Sequence, residues 1–289
     1  MSDRRLHGWP NREWSRFVSA GGIRWHVQVM GNGPAVLLLH GTGAATHSWR
    51  GLAPLLSARF TVVAPDLPGH GFTQPPASAR LSLPGMAASV SALLRTLAVR
   101  PELVVGHSAG VAILLRMCLD GRVAPRGVVS LNGALLPMEG TAGQVFQPLA
   151  RVLAGVPLLP TLFAWRARDR AVVRQLLANT GSRVDDEAVR LYGQLVSNPH
   201  HAASALGMMA RWDLRPLQAE LPRVAVPLLL VAGTGDRAIP PAQAERVRAL
   251  VPGAVLERQP GLGHLSHEED PAATAALIFR FAESLGLPG

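Results

Sequence analysis

Apolar and polar positions along the chain repeat with two periods, one typical of strands and the other of helices. Five short apolar runs have the length of buried strands, and they cover residues 35–39, 60–64, 103–105, 127–131 and 227–231. Residues 86–97 and 277–285 instead carry apolar positions at helical spacing, and Asp270 followed by Pro271 is a start signal for the second helix. Strands that alternate with helices predict an α/β fold, with a mostly parallel sheet covered by helices on both faces.

The segment before these runs has a different pattern. Ile23, Trp25 and Val27 alternate with Arg24 and His26. A period of two is typical of a strand with one buried and one solvated face. We therefore expect a half-buried antiparallel strand at the edge of the sheet.

The alternation of strands and helices stops between about residues 135 and 214, where apolar residues recur only at helical spacing. A helical insertion between two strands predicts a cap over the active site. A helical packing layer without a gating role is the alternative. The expected organisation is a core over 1–134, a helical cap over 135–214 and the rest of the core over 215–289.

The chain can bury a large core, because 48% of its 289 residues are hydrophobic, and its length suggests one or two domains. Cys118 is the single cysteine, so an internal disulfide is impossible and a reducing, cytoplasmic compartment is expected. The N-terminal segment has no apolar core of a signal peptide, so we expect none. No apolar run is long enough to predict a membrane span.

The net charge of +9 is the difference between 28 basic residues, all of them arginine, and 19 acidic residues. This balance favours an acidic partner, such as a carboxylate-bearing substrate or an anionic membrane surface. The arginines are scattered and not clustered with aromatic residues, and the chain has one tyrosine and seven phenylalanines. We therefore expect no nucleic-acid partner.

The pentapeptide Gly-His-Ser-Ala-Gly at 106–110 is the most informative motif. It lies between a predicted strand and an apolar helical segment, the context of a nucleophile elbow. The two glycines let strand and helix approach closely, and the turn lifts the Ser108 hydroxyl out of the sheet. Ser108 is therefore the candidate nucleophile.

A serine hydroxyl needs a base to remove its proton, and the base needs an acceptor that holds its tautomer. His264 follows a strand-like segment and precedes the last helix, while Asp236 follows the predicted strand at 227–231. The resulting order of Ser, Asp and His along the chain is that of one known triad arrangement. Two alternatives stay open: His267 as the base, and Asp236 as a helix cap. Another acid position, after the strand at 127–131, holds Asn132 and supplies no carboxylate.

Backbone N–H groups must meet the negative oxygen that forms during acyl transfer. Ala109 follows the nucleophile, and Thr42 lies in the loop after the strand at 35–39, so we expect these two donors. Gly41, Gly43 and Thr46 also give a partial dinucleotide-binding fingerprint, a weak alternative. His200 and His201 lack a carboxylate or cysteine at ligand spacing, so we expect no metal site and no cofactor.

Together these motifs resemble the α/β-hydrolase superfamily. The residues that carry the resemblance are His40-Gly41, the segment Asp-Leu-Pro-Gly-His-Gly at 66–71, Ser108, Asp236 and His264, and they span the chain from about Arg24 to the end. Longer segments at 25–28, 42–50, 208–214 and 260–264 are similar to the family of magnesium-chelatase accessory proteins of bacteriochlorophyll biosynthesis. The resemblance implies the α/β-hydrolase fold with an inserted helical cap, and a role near magnesium insertion into protoporphyrin.

Two functions follow as hypotheses. The first is a serine hydrolase that cleaves an ester or related acyl bond of a small apolar or porphyrin-like acidic substrate. The second is a non-catalytic accessory that binds a porphyrin or the chelatase. Arginines in the predicted cap could line a pocket for propionates, face solvent or contact the photosynthetic membrane. These arginines are Arg151, Arg166, Arg168, Arg170 and Arg174.

Overall fold

The computed structural model describes residues 6–137, 165–166 and 168–288, and its centre is one eight-stranded sheet. The strands are β1 (Ser15–Ala20), β2 (Ile23–Met30), β3 (Ala35–Leu39), β4 (Thr61–Pro65), β5 (Leu103–His107), β6 (Gly127–Leu131), β7 (Leu228–Gly233) and β8 (Val255–Gln259). Their order across the sheet is β1-β2-β4-β3-β5-β6-β7-β8. All pairs from β4 to β8 are parallel, which confirms the predicted α/β fold with a mostly parallel sheet.

The expectation for the first strand is partly wrong. β2 is antiparallel, as predicted, but β1 pairs with it and forms the edge of the sheet. His26 and Gln28 on β2 are fully buried, so the strand is not half-solvated. Hydrogen bonds compensate for the burial of these polar side chains. The His26 ring bonds to Asp66 and Ser15, and the amide nitrogen of Gln28 donates to the carbonyls of Pro10 and Asn11.

The described helices connect the strands and cover the sheet. They are α1 (Leu52–Leu56), α2 (Leu83–Leu97), α3 (Ala109–Leu119), α4 (Arg170–Asn179), α5 (Asp186–Val196), α6 (Pro199–Ala210), α7 (Arg215–Glu220), α8 (Ala242–Leu250), α9 (Ser266–Glu269) and α10 (Pro271–Ser284). Short 3-10 helices cover Arg12–Trp14, Thr46–Trp49, Ser78–Leu81 and Leu221–Arg223. Asp270 accepts a hydrogen bond from the N–H of Ala273, so it caps α10 as predicted.

Two hydrophobic clusters lie on opposite faces of the sheet, because successive side chains of a strand point to opposite faces. On β5, Val104 packs with α2 and α3, whereas Leu103 and Val105 pack with α1 and α10. All three side chains are fully buried. Burial on both faces explains why the central strands are continuous apolar runs in the sequence.

Between β6 and β7 the described residues form α4, α5, α6, α7 and the 3-10 helix Leu221–Arg223 and add no strand; α4 to α6 fall within the predicted helical insertion. The helical pattern expected at 149–163, and Arg151 with it, lies outside the described residues. The boundaries of the cap and its role stay a prediction. Within the described part of the chain, no helix is both long and apolar enough to cross a bilayer.

The carboxyl ends of the parallel strands bring the predicted site residues to one edge of the sheet. Thr42 follows β3, Ser108 follows β5, Asp236 follows β7 and His264 follows β8. Open α/β sheets bind their ligands at this edge. The candidate site is therefore built from loops that follow the strands of the sheet; β3, β5 and β7 are buried, whereas β8 at the edge is largely exposed.

Candidate functional site

Ser108 occupies a strained turn between β5 and α3. Its backbone angles are φ 51° and ψ −118°, outside the conformations that side-chain-bearing residues usually adopt. A Cβ at Gly106 would lie 2.6 Å from the N of Val111, and one at Gly110 would collide with the carbonyl of Leu39. Both glycines are therefore required for the close contact of strand and helix. The geometry is that of the predicted nucleophile elbow, with the serine at its tip.

Asp236 and His264 form a buried pair. Nδ1 of His264 lies 2.8 Å from Oδ2 of Asp236. The other carboxylate oxygen accepts the N–H groups of Ala238 and Ile239, each at 2.8 Å. These bonds fix the orientation of the carboxylate. A carboxylate can only accept a hydrogen bond, so in the neutral ring Nδ1 carries the proton. Nε2 is then left with its lone pair, as a general base requires.

The structure shows how each residue of the two open alternatives is placed. α8 begins at Ala242 with Pro241 at its N-cap, so Asp236 is not the cap of that helix. His267 is fully buried and its Nε2 bonds to the hydroxyl of Ser48 at 2.9 Å. His264, and not His267, pairs with Asp236.

Asn132 is a site residue whose role was missed in the sequence. Its Nδ2 donates to Oδ2 of Asp236 at 2.9 Å and to the carbonyl of Gly263 at 3.2 Å, while its Oδ1 accepts the hydroxyl of Ser266. It adopts a left-handed φ of 48°. Asn132 thus ties the acid to the loop that carries the base. The sequence signal that could have indicated this role is the position of Asn132 directly after β6, at the carboxyl edge of the sheet.

His107 connects the serine with the base. Its Nε2 donates to the backbone carbonyl of His264 at 2.9 Å, and the two rings lie 4.7 Å apart. Burial lowers the pKa of His107 well below its usual value, and the neighbouring rings of His267 and His264 lower it further. The ring is therefore neutral, which suits its role as a single N–H donor. Within the described residues, no hydrogen bond joins the side chains of Ser108 and His264.

The loop after β3, which carries Thr42, lies against Ser108. A Cβ at Gly41 would lie 3.0 Å from Cβ of Ser108, so the two segments are in close contact. The carbonyl of Gly41 accepts Nδ1–H of His40 at 2.8 Å and the N–H of Ala44 at 3.2 Å. The Gly41 carbonyl and the Thr42 N–H belong to one planar peptide group and point in opposite directions. The bonds that hold the carbonyl therefore also orient the Thr42 N–H.

Ala109 supplies the second predicted donor. It is the first residue of α3, where an N–H has no partner within the helix. Neither its N–H nor that of Thr42 has a hydrogen-bond partner among the described residues. The positive end of the α3 dipole favours negative charge at the same place. This arrangement suits a transient oxyanion.

The loop does not fit the dinucleotide alternative. After Gly43 the chain continues to the 3-10 helix Thr46–Trp49, and no α-helix begins at the glycines as a pyrophosphate site requires. Gly43 is instead held by His201 of α6, whose Nε2 lies 3.1 Å from its carbonyl. In the part of the chain that is described, no three His, Cys, Asp or Glu side chains are grouped to hold a metal ion.

The side chain of Glu268 on α9 is another buried carboxyl, next to His267. Oε1 of Glu268 accepts the hydroxyls of Ser48 at 2.5 Å and Tyr192 at 2.7 Å, and Oε2 is buried without a partner. Burial raises the pKa of Glu268 to about 7, although the two hydroxyls and Arg50 oppose this shift. Ser48 connects this carboxyl to His267. Asp236 and Glu268 thus have different surroundings: Asp236 accepts backbone, amide and imidazole donors, whereas Glu268 accepts two hydroxyls.

Comparisons with known proteins agree with this architecture. A family model described as alpha/beta hydrolase fold matches residues 34–271. The magnesium-chelatase 30 kDa subunit of Rhodobacter capsulatus is 43% identical over 277 residues, which cover 95% of this chain and 96% of that protein. The pimeloyl-[acyl-carrier protein] methyl ester esterase of Methylococcus capsulatus is 30% identical, over 89% of this chain and 98% of its own.

A solved structure has the same fold. The crystal structure of an alpha/beta hydrolase fold protein from Burkholderia ambifaria has a TM-score of 0.78 at 27% identity, and it covers 92% of this chain and 97% of its own. The resemblance inferred from the motifs is confirmed, as is the predicted fold. The elbow, the sheet order, the family model and the similarity to the Rhodobacter capsulatus protein lead to one conclusion: this chain belongs to the α/β hydrolase family.

Proposed function

We propose that the protein is a serine hydrolase that cleaves an ester or related acyl bond with Ser108, His264 and Asp236. The observation that carries this proposal is the 2.8 Å hydrogen bond between Asp236 and His264, formed at the sheet edge where Ser108 occupies its strained turn. An acid–base pair beside a strained, accessible serine is the arrangement that activates a hydroxyl for attack.

In this mechanism, Oγ of Ser108 attacks the acyl carbon while Nε2 of His264 takes its proton. Asp236 stabilises the imidazolium that forms and keeps its own charge. The N–H groups of Thr42 and Ala109 bind the oxyanion. His264 then gives its proton to the leaving alcohol, and the acyl group stays on Ser108. A water molecule, deprotonated by the same ring, attacks this ester and releases the acid and the free serine.

The test is labelling with a fluorophosphonate probe, which reacts with activated serines. We expect one labelled site, at Ser108, that is lost in Ser108→Ala and strongly reduced in His264→Ala. His267→Ala is a useful comparison, because His267 lacks the bond to Asp236. Labelling that persists in Ser108→Ala would show that another serine is the nucleophile.

We further propose that the reaction serves bacteriochlorophyll biosynthesis at or near the magnesium-chelatase step. Support comes from the 43% identity to a protein named magnesium-chelatase 30 kDa subunit. A porphyrin-like acidic substrate, the chelatase itself or an anionic membrane surface would each suit the arginine-rich segment before α5. Arg166, Arg168, Arg170 and Arg174 are exposed, and Arg174 forms an ion pair with Asp186.

Gene deletion with complementation tests the pathway and the chemistry together. Deletion is expected to lower bacteriochlorophyll and raise protoporphyrin-type intermediates. Complementation with Ser108→Ala is expected to fail, because removal of the nucleophile leaves only residual catalysis. Full pigment recovery with Ser108→Ala at the normal protein level would instead support the second function, a non-catalytic porphyrin-binding or chelatase accessory. Unchanged pigments after deletion would refute the pathway.

A further inference from the structure

One face of α6 packs on the loop that carries Thr42. His201, Ser204 and Met208 are spaced by three and four residues, so they share this face, and all three are buried. The hydroxyl of Thr42 donates to the sulfur of Met208 at 3.6 Å. A Cβ at Gly69 would collide with Ser204. A helix of the insertion between β6 and β7 therefore contacts two loops of the core at the candidate site.

His201 makes the strongest of these contacts, with both ring nitrogens. Nε2 lies 3.1 Å from the carbonyl of Gly43, and Nδ1 lies 3.1 Å from the backbone N of Gly71. A carbonyl can only accept and a backbone N–H can only donate, so the ring must be neutral with its proton on Nε2. Burial lowers the pKa of His201 to about 4, in agreement with a neutral ring. The side chain is 1% exposed.

The bond to Gly43 reaches the oxyanion donor through two peptide groups. His201 holds the carbonyl of the peptide between Gly43 and Ala44, and the N–H of that peptide donates to the carbonyl of Gly41. The Gly41 carbonyl belongs to the peptide that presents the Thr42 N–H. Because each peptide group is planar, the orientation of one carbonyl sets that of the next N–H. Gly43 has a left-handed φ of 79°, and none of the described atoms outside its neighbours lies within 4 Å of where a Cβ would be. Side-chain packing at Gly43 therefore does not hold the loop.

We propose that His201 is a positioning residue that holds the Thr42 N–H in the geometry needed to bind the oxyanion. The inference rests on the proposed serine-hydrolase function. It adds that the helical insertion supplies part of the catalytic geometry from α6. His201 touches no reacting atom, and it acts through Gly43, Ala44 and Gly41. The bond to Gly71 prevents rotation of the ring, so the donor nitrogen stays directed at Gly43.

The experiment compares adjacent histidines on the same helix. His201→Leu fills the space of the ring without its nitrogens. His201→Gln places an amide nitrogen and oxygen at nearly the separation of the two ring nitrogens, so it can restore both bonds. His200→Leu is the matched control, because His200 is exposed. Each variant is measured with a p-nitrophenyl ester for kcat and KM, with the fluorophosphonate for labelling rate, and by thermal unfolding.

We expect His201→Leu to lower kcat and the labelling rate by about 10- to 100-fold, since misplacement of a supporting group by about 1 Å costs up to about 100-fold. KM should change little, because the oxyanion forms after binding. His201→Gln should recover most of the loss, and His200→Leu should match the wild type. If His201 were merely structural, His201→Leu would lower the melting temperature. It would not lower kcat at an unchanged KM, and His201→Gln would not restore kcat.

The outcomes separate this inference from the proposed function. A wild-type protein that neither labels nor hydrolyses overturns the proposed function and the inference with it. A wild type that is active, with a folded His201→Leu as active as His200→Leu, overturns the inference alone. If His201→Leu does not fold, His201→Phe takes its place, because it keeps a ring in the same space without either nitrogen. The same outcomes then apply.

Discussion

The buried carboxyl of Glu268 makes the stability of this protein depend on pH in a direction opposite to that of most acidic side chains. The change that exposes this effect is Glu268→Gln. The amide has the same shape, and its oxygen can still accept the hydroxyls of Ser48 and Tyr192. The variant removes the ionisation and keeps the shape. Its amide nitrogen replaces Oε2, which has no partner, and the cost of that buried donor does not depend on pH.

The magnitude follows from the pKa of Glu268 in the two states. Its ordinary value is 4.5, and burial raises it to about 7 in the folded protein. Below pH 4.5 the group is protonated in both states and costs nothing. Between pH 4.5 and 7 the unfolded chain ionises while the folded protein keeps the proton, so stability falls as pH rises. Above pH 7 the cost is constant at about 3 kcal/mol, given about 1.4 kcal/mol for each pKa unit.

The assay is urea-induced unfolding of wild type and variant between pH 5 and pH 8.5. The free energy of unfolding of Glu268→Gln relative to wild type should rise with pH and level off above pH 7, by about 3 kcal/mol in all relative to its value at low pH. The control is Glu257→Gln on β8, because Glu257 is exposed. This control shows what the exchange of a carboxyl for an amide does at an exposed position. A difference for Glu268→Gln that stays flat with pH, or that falls as pH rises, would refute the reasoning.

Three further predictions concern the elbow, the acid and the cysteine. Gly110→Ala should lower the free energy of unfolding by about 1–3 kcal/mol or more, because its Cβ collides with the carbonyl of Leu39. Gly193→Ala in α5 is the control and should raise the free energy of unfolding by about 1 kcal/mol, since its Cβ meets no atom closer than 3.7 Å. If urea unfolding gave both variants the same change, the close contact of Gly110 with Leu39 would be contradicted. Asp236→Asn should lower kcat on a p-nitrophenyl ester by about 10⁴-fold in a folded protein, and normal activity per folded molecule would exclude Asp236 from the triad. Burial raises the pKa of Cys118 to about 12, so iodoacetamide at pH 8 should alkylate it far more slowly in the native protein than in urea; equal rates would contradict its burial.

The sequence by itself determined the features that depend on neighbouring residues. The buried strands were recognisable because burial on both faces demands continuous apolar runs. The elbow was recognisable because a strained turn between strand and helix needs its glycines within two residues of Ser108. Asp236 and His264 could be paired although they lie 28 residues apart, because both follow strands whose carboxyl ends must meet at one edge of a parallel sheet.

Only the tertiary structure decided the features that depend on residues distant in the chain. β1 had no strong apolar pattern, so the position of β2 inside the sheet could not be seen. His264 and His267 are three residues apart with similar neighbours, and only the bond to Asp236 distinguishes them. Asn132 follows β6 while the residues it joins, Asp236 and Gly263, belong to other loops. Such polar contacts leave no periodic trace, because hydrogen bonds are set by the position of single atoms, whereas burial of a strand or helix face recurs along the sequence.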